Sequence, residues 1–429
     1  MSEWRNWARN QRARPARVIA PSSTGEVAAL IADARATGAT VKPLGAGHSF
    51  TGIAATDGTQ VRLDGMAAIL HHDPATRRVR VQAGVSLHAL NPRLRELGLA
   101  LPNMGDVDPQ SIAGAISTGT HGTGAQSHGI AHAVVGLQLV TGTGEVVEID
   151  EQHPWFGAAR VSLGALGVIT EVTLQCVPAF GLRAIEQPMR LPEVMERLGE
   201  FLEDDHFEFY WFPHTEAALI KRNNRVPGDT PLRPVGRIRH LWDDEILSNG
   251  VFGAVNAIGG ARPSWIPAIN RISGSALSPR EYVDRSYDVF VSPRRVRFVE
   301  SEWAVPRAAL PEAIVELQRW FETSGERVAF PIEVRFAAAD DIWLSTGHER
   351  DNAYVAVHQW FRRPSERYFA AAQAIFDAHE GRPHWGKLHT LTADRLRERY
   401  PRFDDFLAIR DAADPDRVLD NAYLRQVLG

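Results

Sequence analysis

The sequence predicts an α+β protein built from two domains. Its 429 residues exceed the length that one hydrophobic core usually serves, so two domains are the default. Helical and strand patterns alternate up to about residue 178. From residue 179 to residue 387, aromatic-rich strands alternate with helical stretches, which indicates a second, mixed α/β domain.

Capping signals and periodicity define the first elements. Ser23 to Glu26 has the pattern of a capping box, and the amphipathic helix that follows ends at Gly38. A strand then begins at Thr40 to Lys42. Arg78 to Val81 alternates with period two, as a half-buried strand does.

Capping and turn signals also predict the remaining elements of the first domain. Ser86 caps a helix that runs to Leu97. The strands 134–140 and 145–149 flank a Thr-Gly-Thr-Gly turn, which is a hairpin pattern, and Gly167 to Val172 forms one more strand.

The second domain has clear strands and helices at both ends and an unclear middle. Arg222 to Pro279 is rich in Pro, Gly and Arg and has little periodicity. The strands are expected at 207–212, 298–303 and 353–360, and the helices at 308–324 and 365–379.

Composition excludes several classes of protein. With 44% hydrophobic residues, 23% charged residues and a net charge of −5, the chain has the make-up of a globular protein. Lys and Arg are scattered, which argues against nucleic acid as a partner. No apolar run reaches about 18 residues, so no membrane span is expected. The first residues lack an apolar export segment, and Cys176, the only cysteine, forms no intrachain disulfide, so we expect a cytoplasmic protein with this thiol buried and inert.

The most informative motif is the run VKPLGAGHSF, from Val41 to Phe50. Gly45 and Gly47 flank one small residue, so the backbone turns tightly and approaches a ligand closely. His48 and Ser49 follow at the tip of the turn. Converging backbone N–H groups suit a phosphate, yet neither G-x-G-x-x-G nor G-x-x-x-x-G-K-[ST] is present. If a dinucleotide binds here, it does not bind in the Rossmann manner.

A second glycine-rich run, Ser111 to Gly124, has the same character and carries His121 among its glycines. One such loop alone is more often a structural turn. Two His-bearing loops about seventy residues apart favour a shared ligand.

These two runs resemble the flavin-binding loop and its partner loop in the vanillyl-alcohol-oxidase, or PCMH-type, FAD enzymes. Within that group the chain is most similar to the aldonolactone oxidases and alditol oxidases. Three further segments support the resemblance in the same order along the chain, namely Trp4 to Trp7, Glu333 to Arg335 and His384 to Lys387.

The resemblance implies a PCMH-type FAD-binding domain over residues 1–178, completed by residues 388–429, and a substrate-binding cap over residues 179–387. The alternative to cofactor contact is a structural hydrogen bond for His121 and a core position for Ile169. The residues implied to contact FAD are Pro43, Leu44, Gly45, Ala46, Gly47, His48, Ser49, Asp106, Ser111, Gly114, Ser117, Thr118, Gly119, Thr120, His121 and Ile169.

His48 occupies the position where covalently flavinylated members of the family carry their histidine. A neutral imidazole is a nucleophile, and the flavin 8α-methyl group is electrophilic in one tautomer. The resemblance therefore implies an 8α-N-histidyl bond to FAD, and the alternative is a histidine that only hydrogen-bonds the flavin. The partner loop contains no cysteine, which excludes a second, cysteinyl bond.

Gly105 bears on the electron acceptor. Related oxidases carry a glycine at this position, where a bulkier residue is associated with dehydrogenases that exclude oxygen. The resemblance thus implies an oxidase, and a simple turn glycine is the alternative reading.

Substrate groups are expected on the cap. Glu333 and Arg335 are two apart in an extended segment and share one face, as do His358 and Trp360. A carboxylate and a guanidinium on one face bind hydroxyl groups and stabilise developing charge. His358 is a candidate general base, with a packed strand histidine as the alternative.

Lys387 resembles the lysine that reaches the active site in this family, where an ammonium stabilises negative charge on the reduced flavin. A solvated lysine is the alternative. The implied catalytic residues are His358, Lys387, Arg335 and Glu333, and the implied substrate contacts are these four with Asp106 and Trp360.

Other chemistries have no support. The histidines at positions 71, 72, 384 and 389 form no H-E-x-x-H motif, so no metal is expected. No G-x-S-x-G elbow is present, which argues against a hydrolase.

The resemblance therefore implies an FAD-dependent oxidase of a sugar-derived 1,4-lactone, either L-gulono- or D-arabinono-1,4-lactone, with oxygen as acceptor and hydrogen peroxide as product. The alternatives are an alditol oxidase acting on xylitol or sorbitol, a lactone dehydrogenase using a cytochrome or quinone, and a flavin-binding protein without turnover. Alditol oxidases have serine where Asp106 stands and threonine where Trp360 stands, which disfavours the alditol reading.

Overall fold

Strands and helices alternate along the chain in the computed structural model, which describes residues 3–228, 230–236, 252–292 and 295–429. The strands are β1 Trp4–Arg5, β2 Arg12–Ala13, β3 Arg17–Ile19, β4 Val41–Leu44, β5 Thr59–Arg62, β6 Ile69–Asp73, β7 Arg78–Gln82, β8 Leu99–Ala100, β9 Val134–Thr141, β10 Val146–Asp150, β11 Gly167–Gln175, β12 Val177–Pro178, β13 Gly181–Arg190, β14 His206–Trp211, β15 Ala217–Val226, β16 Arg280–Arg285, β17 Phe298–Pro306, β18 Ile332–Ala337, β19 Asn352–Trp360 and β20 Arg382–Pro383. The α-helices are α1 Thr24–Thr37, α2 Leu87–Glu96, α3 Ile112–Ser117, α4 Phe156–Ala159, α5 Leu191–Glu196, α6 Leu198–Phe201, α7 Phe252–Ala261, α8 Ile266–Ser275, α9 Ser286–Phe290, α10 Leu310–Ser324, α11 Glu366–Ala378, α12 Ala393–Arg399, α13 Phe403–Ala413 and α14 Ala422–Leu428.

A small parallel sheet, in the order β3-β5-β4, delivers the chain to the first glycine loop. Helix α1 joins β3 to β4 and ends at Gly38, whose φ of 66° is the left-handed conformation that glycine adopts without strain. Ser23 caps this helix by accepting the N–H of Glu26, as expected. The capping box itself is incorrect, because the Glu26 carboxylate accepts from the backbone and hydroxyl of Ser22 instead.

A five-stranded antiparallel sheet, in the order β10-β9-β11-β7-β6, follows in the first domain. Strands β9 and β10 pair with Val140 opposite Val146, which confirms the predicted hairpin. Helix α2 is capped by Ser86 as predicted. Cys176 is buried just after β11, and burial raises the pKa of its thiol to about 12.

The second half of the chain is built on an eight-stranded antiparallel sheet in the order β16-β13-β15-β14-β18-β19-β17-β20. Its strands β14, β17 and β19 and the helices α10 and α11 lie where the sequence predicts them. Within the segment Arg222 to Pro279, residues 229 and 237–251 lie outside the described residues.

The C-terminal segment packs back against the strand that precedes the first glycine loop. The Val41 N–H donates to Val418 O at 2.8 Å, and Lys42 Nζ donates to Leu419 O at 3.0 Å. Burial lowers the pKa of Lys42 to about 7, although Asp420 opposes this shift. These bonds fix the base of the glycine loop to the end of the chain.

Apolar side chains from both halves of the chain join in one buried cluster that extends from Ala8 to Leu428. Among the described residues, no helix is both long enough and apolar enough to cross a bilayer.

Candidate active site

The two glycine loops face each other across a cleft that contains a cavity of about 310 Å³. A Cβ added at Gly45 would lie 2.8 Å from Ser111 Oγ, and one added at Gly114 would lie 3.0 Å from the same atom. Gly47 has a φ of 71°, which a side chain would strain. Close approach of the loops and tight turning thus account for three of the glycines.

Most residues implied to contact FAD line this cleft, where they present small side chains, hydroxyl groups and backbone. This surface fits an extended, phosphate-bearing cofactor. The lining residues among those expected are Pro43, Leu44, Gly45, Ala46, Gly47, His48, Ser49, Ser111, Gly114, Ser117, Thr118 and Ile169.

The remaining expected contacts lie elsewhere. Gly119, Thr120 and His121 line a separate small cavity on the other side of the second loop. Asp106 is paired with Arg335 at 3.4 Å. Gly105 approaches the second loop, and a Cβ there would lie 3.0 Å from His121 O.

His48 is partly buried, and its imidazole is stacked on the Trp7 ring with centroids 5.7 Å apart. Burial lowers the pKa of His48, and the nearby Lys387 ammonium lowers it further. The imidazole is therefore held in its neutral, nucleophilic form.

A second cavity, of about 70 Å³, adjoins the cleft at His48 and Thr118, which line both. Glu300, His384 and Lys387 from the second half of the chain form its far wall. Charged groups from the second half of the chain thus meet the cleft at this small cavity.

The strands behind this wall place polar side chains in adjacent rows. Opposite residues in an antiparallel sheet project to the same face. In one row, Tyr210, Glu333, Ala356 and Glu302 are successive partners across β14, β18, β19 and β17. The small Ala356 separates the two carboxylates.

Arg335 is surrounded by carboxylates. Its guanidinium bonds to Glu208 at 2.9 Å, contacts Glu333, and lies 3.4 Å from Asp106. Burial alone would lower the pKa of Arg335, but these acids outweigh it and raise the pKa well above the ordinary value. The Tyr210 hydroxyl completes the network by donating to Glu333 at 2.7 Å.

Lys387 is the cation of the small cavity. Its ammonium lies 2.5 Å from Glu300 and 3.9 Å from Glu302. Burial would lower the pKa of Lys387, but the two carboxylates raise it, so the group stays charged. Lys387 also lies 5.3 Å from the Phe50 ring centroid.

His358 lies beside Glu300, opposite it in the β17–β19 ladder. Its Nδ1–H donates to Pro331 O at 3.2 Å, and its Nε2 lies 3.6 Å from the Glu300 carboxylate. Trp360 packs near Gly260, whose added Cβ would lie 2.7 Å from the indole. Within the described part of the chain, His358 and Trp360 line neither of the two cavities.

His121, Glu302 and His384 are buried, and their potential ligand atoms lie within 4.8 Å of one another, as in a metal site. His384 Nδ1, however, accepts the Gly386 N–H at 3.0 Å, and the same ring hydrogen-bonds the Gly119 backbone. Burial lowers the pKa of His384 to about 3, which keeps it neutral despite Glu302. Because its nitrogens are already engaged, we interpret the cluster as a hydrogen-bonded support for the second loop.

Comparison with known families identifies the group to which this site belongs. A family model described as D-arabinono-1,4-lactone oxidase matches residues 172–427, and one described as an FAD binding domain matches residues 15–150. The chain belongs to the D-arabinono-1,4-lactone oxidase family.

Several relatives match the chain along nearly its whole length. L-gulono-1,4-lactone dehydrogenase of Mycobacterium tuberculosis is 44% identical over 99% of both chains. L-gulonolactone oxidase of Bos taurus is 36% identical over 99% of this chain and 98% of its own. Alditol oxidase of a Streptomyces species is 32% identical over the same shares.

Solved structures confirm the fold class. Cholesterol oxidase from B. sterolicum superposes with a TM-score of 0.85 over 100% of this chain and 96% of its own, at 18% sequence identity. That likeness concerns the fold alone. With the family matches, it establishes a PCMH-type FAD-binding fold with a second domain, and the protein is an FAD-dependent oxidoreductase that acts on CH–OH groups.

Four residues of this site were not predicted from the sequence: Glu208, Tyr210, Glu300 and Glu302. A signal was present at the last two. They occupy alternate positions in a strand whose other residues, apart from Ser301, are apolar, and acids at buried strand positions need partners.

Proposed function

We propose that the protein oxidises a sugar-derived 1,4-lactone, L-gulono- or D-arabinono-1,4-lactone, with FAD bound covalently to His48 and with oxygen as the acceptor, giving hydrogen peroxide. The observation that carries this proposal is the small cavity shared by His48, Glu300 and Lys387. It provides a cation and a carboxylate beside the expected attachment point of the cofactor.

FAD, when bound, supplies the acceptor for the hydride that leaves the C–OH carbon. The chain supplies proton transfer and charge. His358 accepts the proton of the substrate hydroxyl, and Lys387 stabilises the negative charge that develops beside it. Arg335 orients the substrate. Its own charge is balanced by Asp106 and two other carboxylates.

A lactone is favoured over an alditol by the surroundings of Arg335. Asp106 replaces the serine that alditol oxidases have, and its carboxylate is committed to Arg335. The lactone enzymes of Mycobacterium tuberculosis and Bos taurus are 44% and 36% identical to the chain, and the alditol oxidase is 32% identical. Alditol oxidation remains the second candidate on the strength of that relative.

The electron acceptor depends on the space around Gly105. A methyl group there would lie 3.0 Å from His121 O and 3.3 Å from Thr120 Cγ2, so it would press against the second glycine loop. Related oxidases carry a glycine at this position, which supports an oxidase. The dehydrogenase alternative is supported by the name of the Mycobacterium relative.

The covalent bond to FAD is supported by the state of His48. Its lowered pKa leaves a ring nitrogen with a free electron pair at neutral pH, and Trp7 fixes the orientation of the ring. Both features favour attack on a carbon of the cofactor over simple hydrogen bonding.

The first experiment is acid precipitation of the purified protein, with visible spectra of the pellet and the supernatant. We expect flavin in the pellet, and its release into the supernatant in a His48→Ala variant. The matched control is His88→Ala, since the His88 imidazole is 78% exposed and lines neither the cleft nor the small cavity. Flavin in the supernatant of the parent protein would disprove the covalent bond and leave the FAD fold in place.

The substrate is then identified by peroxide release with a panel of 1,4-lactones and alditols. Turnover confined to alditols would overturn the lactone proposal. Anaerobic bleaching of the flavin by a lactone, without peroxide in air, would instead identify a dehydrogenase.

A further inference from the structure

Strand β17 carries two buried carboxylates that take no step in the proposed reaction. Glu300 and Glu302 are each 5% exposed and project to the same face of the sheet. A buried carboxylate is costly unless it is paired, so each is expected to serve a partner.

Glu300 contacts two groups that the proposed reaction uses. Its Oε1 lies 2.5 Å from Lys387 Nζ and 3.6 Å from His358 Nε2. It also lines the small cavity together with His48. One carboxylate oxygen thus connects the cation of the site to its general base.

The surroundings of His358 make its protonation depend on the contact with Glu300. Its Nδ1 faces the carbonyl of Pro331, and its Nε2 faces Glu300, so both nitrogens meet acceptors. Two facing acceptors favour the doubly protonated ring over the neutral ring. The Phe298 and Phe330 rings pack against the imidazole and limit the solvent that would screen this interaction.

Other charged groups also act on this pair. Lys387 is attracted by Glu302 and Glu333 as well as by Glu300, which ranks first among the carboxylates that raise its pKa. The Lys387 ammonium in turn lowers the pKa of both His48 and His384. Glu302 is turned towards His121, whose Nε2 lies 3.4 Å away.

On the basis of the proposed function, we propose that Glu300 is a positioning residue whose carboxylate contacts both His358 and Lys387. Glu300 thereby sets the pH range in which His358 is neutral while Lys387 is charged. Glu300 itself neither accepts the substrate proton nor contacts the reacting carbon.

The test is the pH dependence of turnover in a Glu300→Gln variant, which keeps the shape and removes the charge. Loss of the carboxylate makes protonated His358 less favourable, so the acidic limb moves to lower pH. It also makes the charged form of Lys387 less favourable, so the basic limb moves the same way. We expect each limb to move by about one pH unit or more. A side chain that only packs would lower the rate and leave both limbs in place.

Glu302→Gln is the matched control, since Glu302 is equally buried on the same strand and faces His121. It should leave the acidic limb unchanged, because Glu302 lies opposite Ala356 and not opposite His358. An equal acidic shift in both variants would overturn the specific role of Glu300.

A second readout does not depend on turnover. In FAD-loaded protein with ¹³C-labelled histidine, NMR titration follows the His358 signal, identified by its loss in His358→Gln. We expect a lower midpoint in Glu300→Gln than in the parent protein, and no change in Glu302→Gln. If Glu300→Gln does not fold, Glu300→Asp, which withdraws the carboxylate by one methylene, should give a smaller shift in the same direction.

The two readouts separate the proposals. A protein that oxidises no lactone or alditol but shows the NMR shift refutes the proposed function and keeps the role of Glu300. Turnover with unmoved limbs and an unmoved His358 signal refutes the role of Glu300 and keeps the function.

Discussion

Replacement of Arg335 by methionine would test how the carboxylates around it are held together. Methionine is close to arginine in its apolar stem but brings no charge. The substitution leaves Asp106, Glu208 and Glu333 together with no guanidinium between them. Since Arg335 is 8% exposed, solvent cannot replace the lost partner.

Removal of one partner from a buried ion pair costs about 3–5 kcal/mol, and three carboxylates depend on this guanidinium. We therefore expect the free energy of unfolding to fall by about 3–5 kcal/mol, read from urea unfolding of the FAD-loaded protein at pH 7. Arg183→Met is the matched control. Its ion pair with Glu281 is 52% and 55% exposed on the same sheet, so the loss should be about 0–1 kcal/mol.

The dependence on pH provides a second check. Without Arg335, burial and mutual repulsion raise the pKa of the orphaned carboxylates in the folded state above their unfolded values. A raised folded-state pKa stabilises the protein as the pH falls, so the deficit relative to the parent protein should shrink between pH 7 and pH 5. A loss below about 1 kcal/mol at pH 7, or a deficit that grows on acidification, would refute the assignment of a buried charge cluster.

Two glycine substitutions test close contacts elsewhere. Gly105→Ala should slow reoxidation of the reduced flavin by oxygen about tenfold or more and leave the rate of flavin reduction by substrate unchanged. Stopped-flow absorbance measures both rates. An unchanged rate of reoxidation would show that Gly105 is only a turn residue. Gly142→Ala should destabilise the protein by about 1–3 kcal/mol, because its Cβ would lie 2.1 Å from Asp414 Oδ1, which accepts the Val418 N–H. Gly25→Ala, with no atom within 4 Å of its Cβ, is the control for thermal unfolding.

Features encoded in consecutive residues were predictable from the sequence. Ser23 and Gly38 delimit helix α1 because an N-cap hydroxyl and a left-handed glycine act within one turn of the chain. The β9–β10 hairpin follows from its Thr-Gly-Thr-Gly turn for the same reason. The glycine loops were recognisable because tight turning and close approach require glycine itself.

Features that depend on pairing between distant parts of the chain were not predictable from the sequence. Nothing near Glu300 in the chain indicates that its partners are Lys387, on the segment after β20, and His358, on β19. The pairing follows from the strand order, in which β17 lies between β19 and β20. Even the local capping box was misassigned, since Glu26 had two serines within reach and its carboxylate bonds to Ser22.

The carboxylates around Arg335 and Lys387 are consistent with a hydroxyl-rich substrate. Asp106, Glu208 and Glu333 contact the guanidinium of Arg335, and Lys221 lies 3.6 Å from Glu208. The neighbouring pair of acids on β17 contacts the ammonium of Lys387. An ionised carboxylate accepts hydrogen bonds and donates none, so the hydroxyl groups of a closed lactone can donate to these oxygens. The carboxylate of a sugar acid is itself only an acceptor and would form no hydrogen bond with them. The acceptor-rich surface that the sheet assembles therefore fits a neutral, hydroxyl-rich ring better than the acid formed when that ring is hydrolysed.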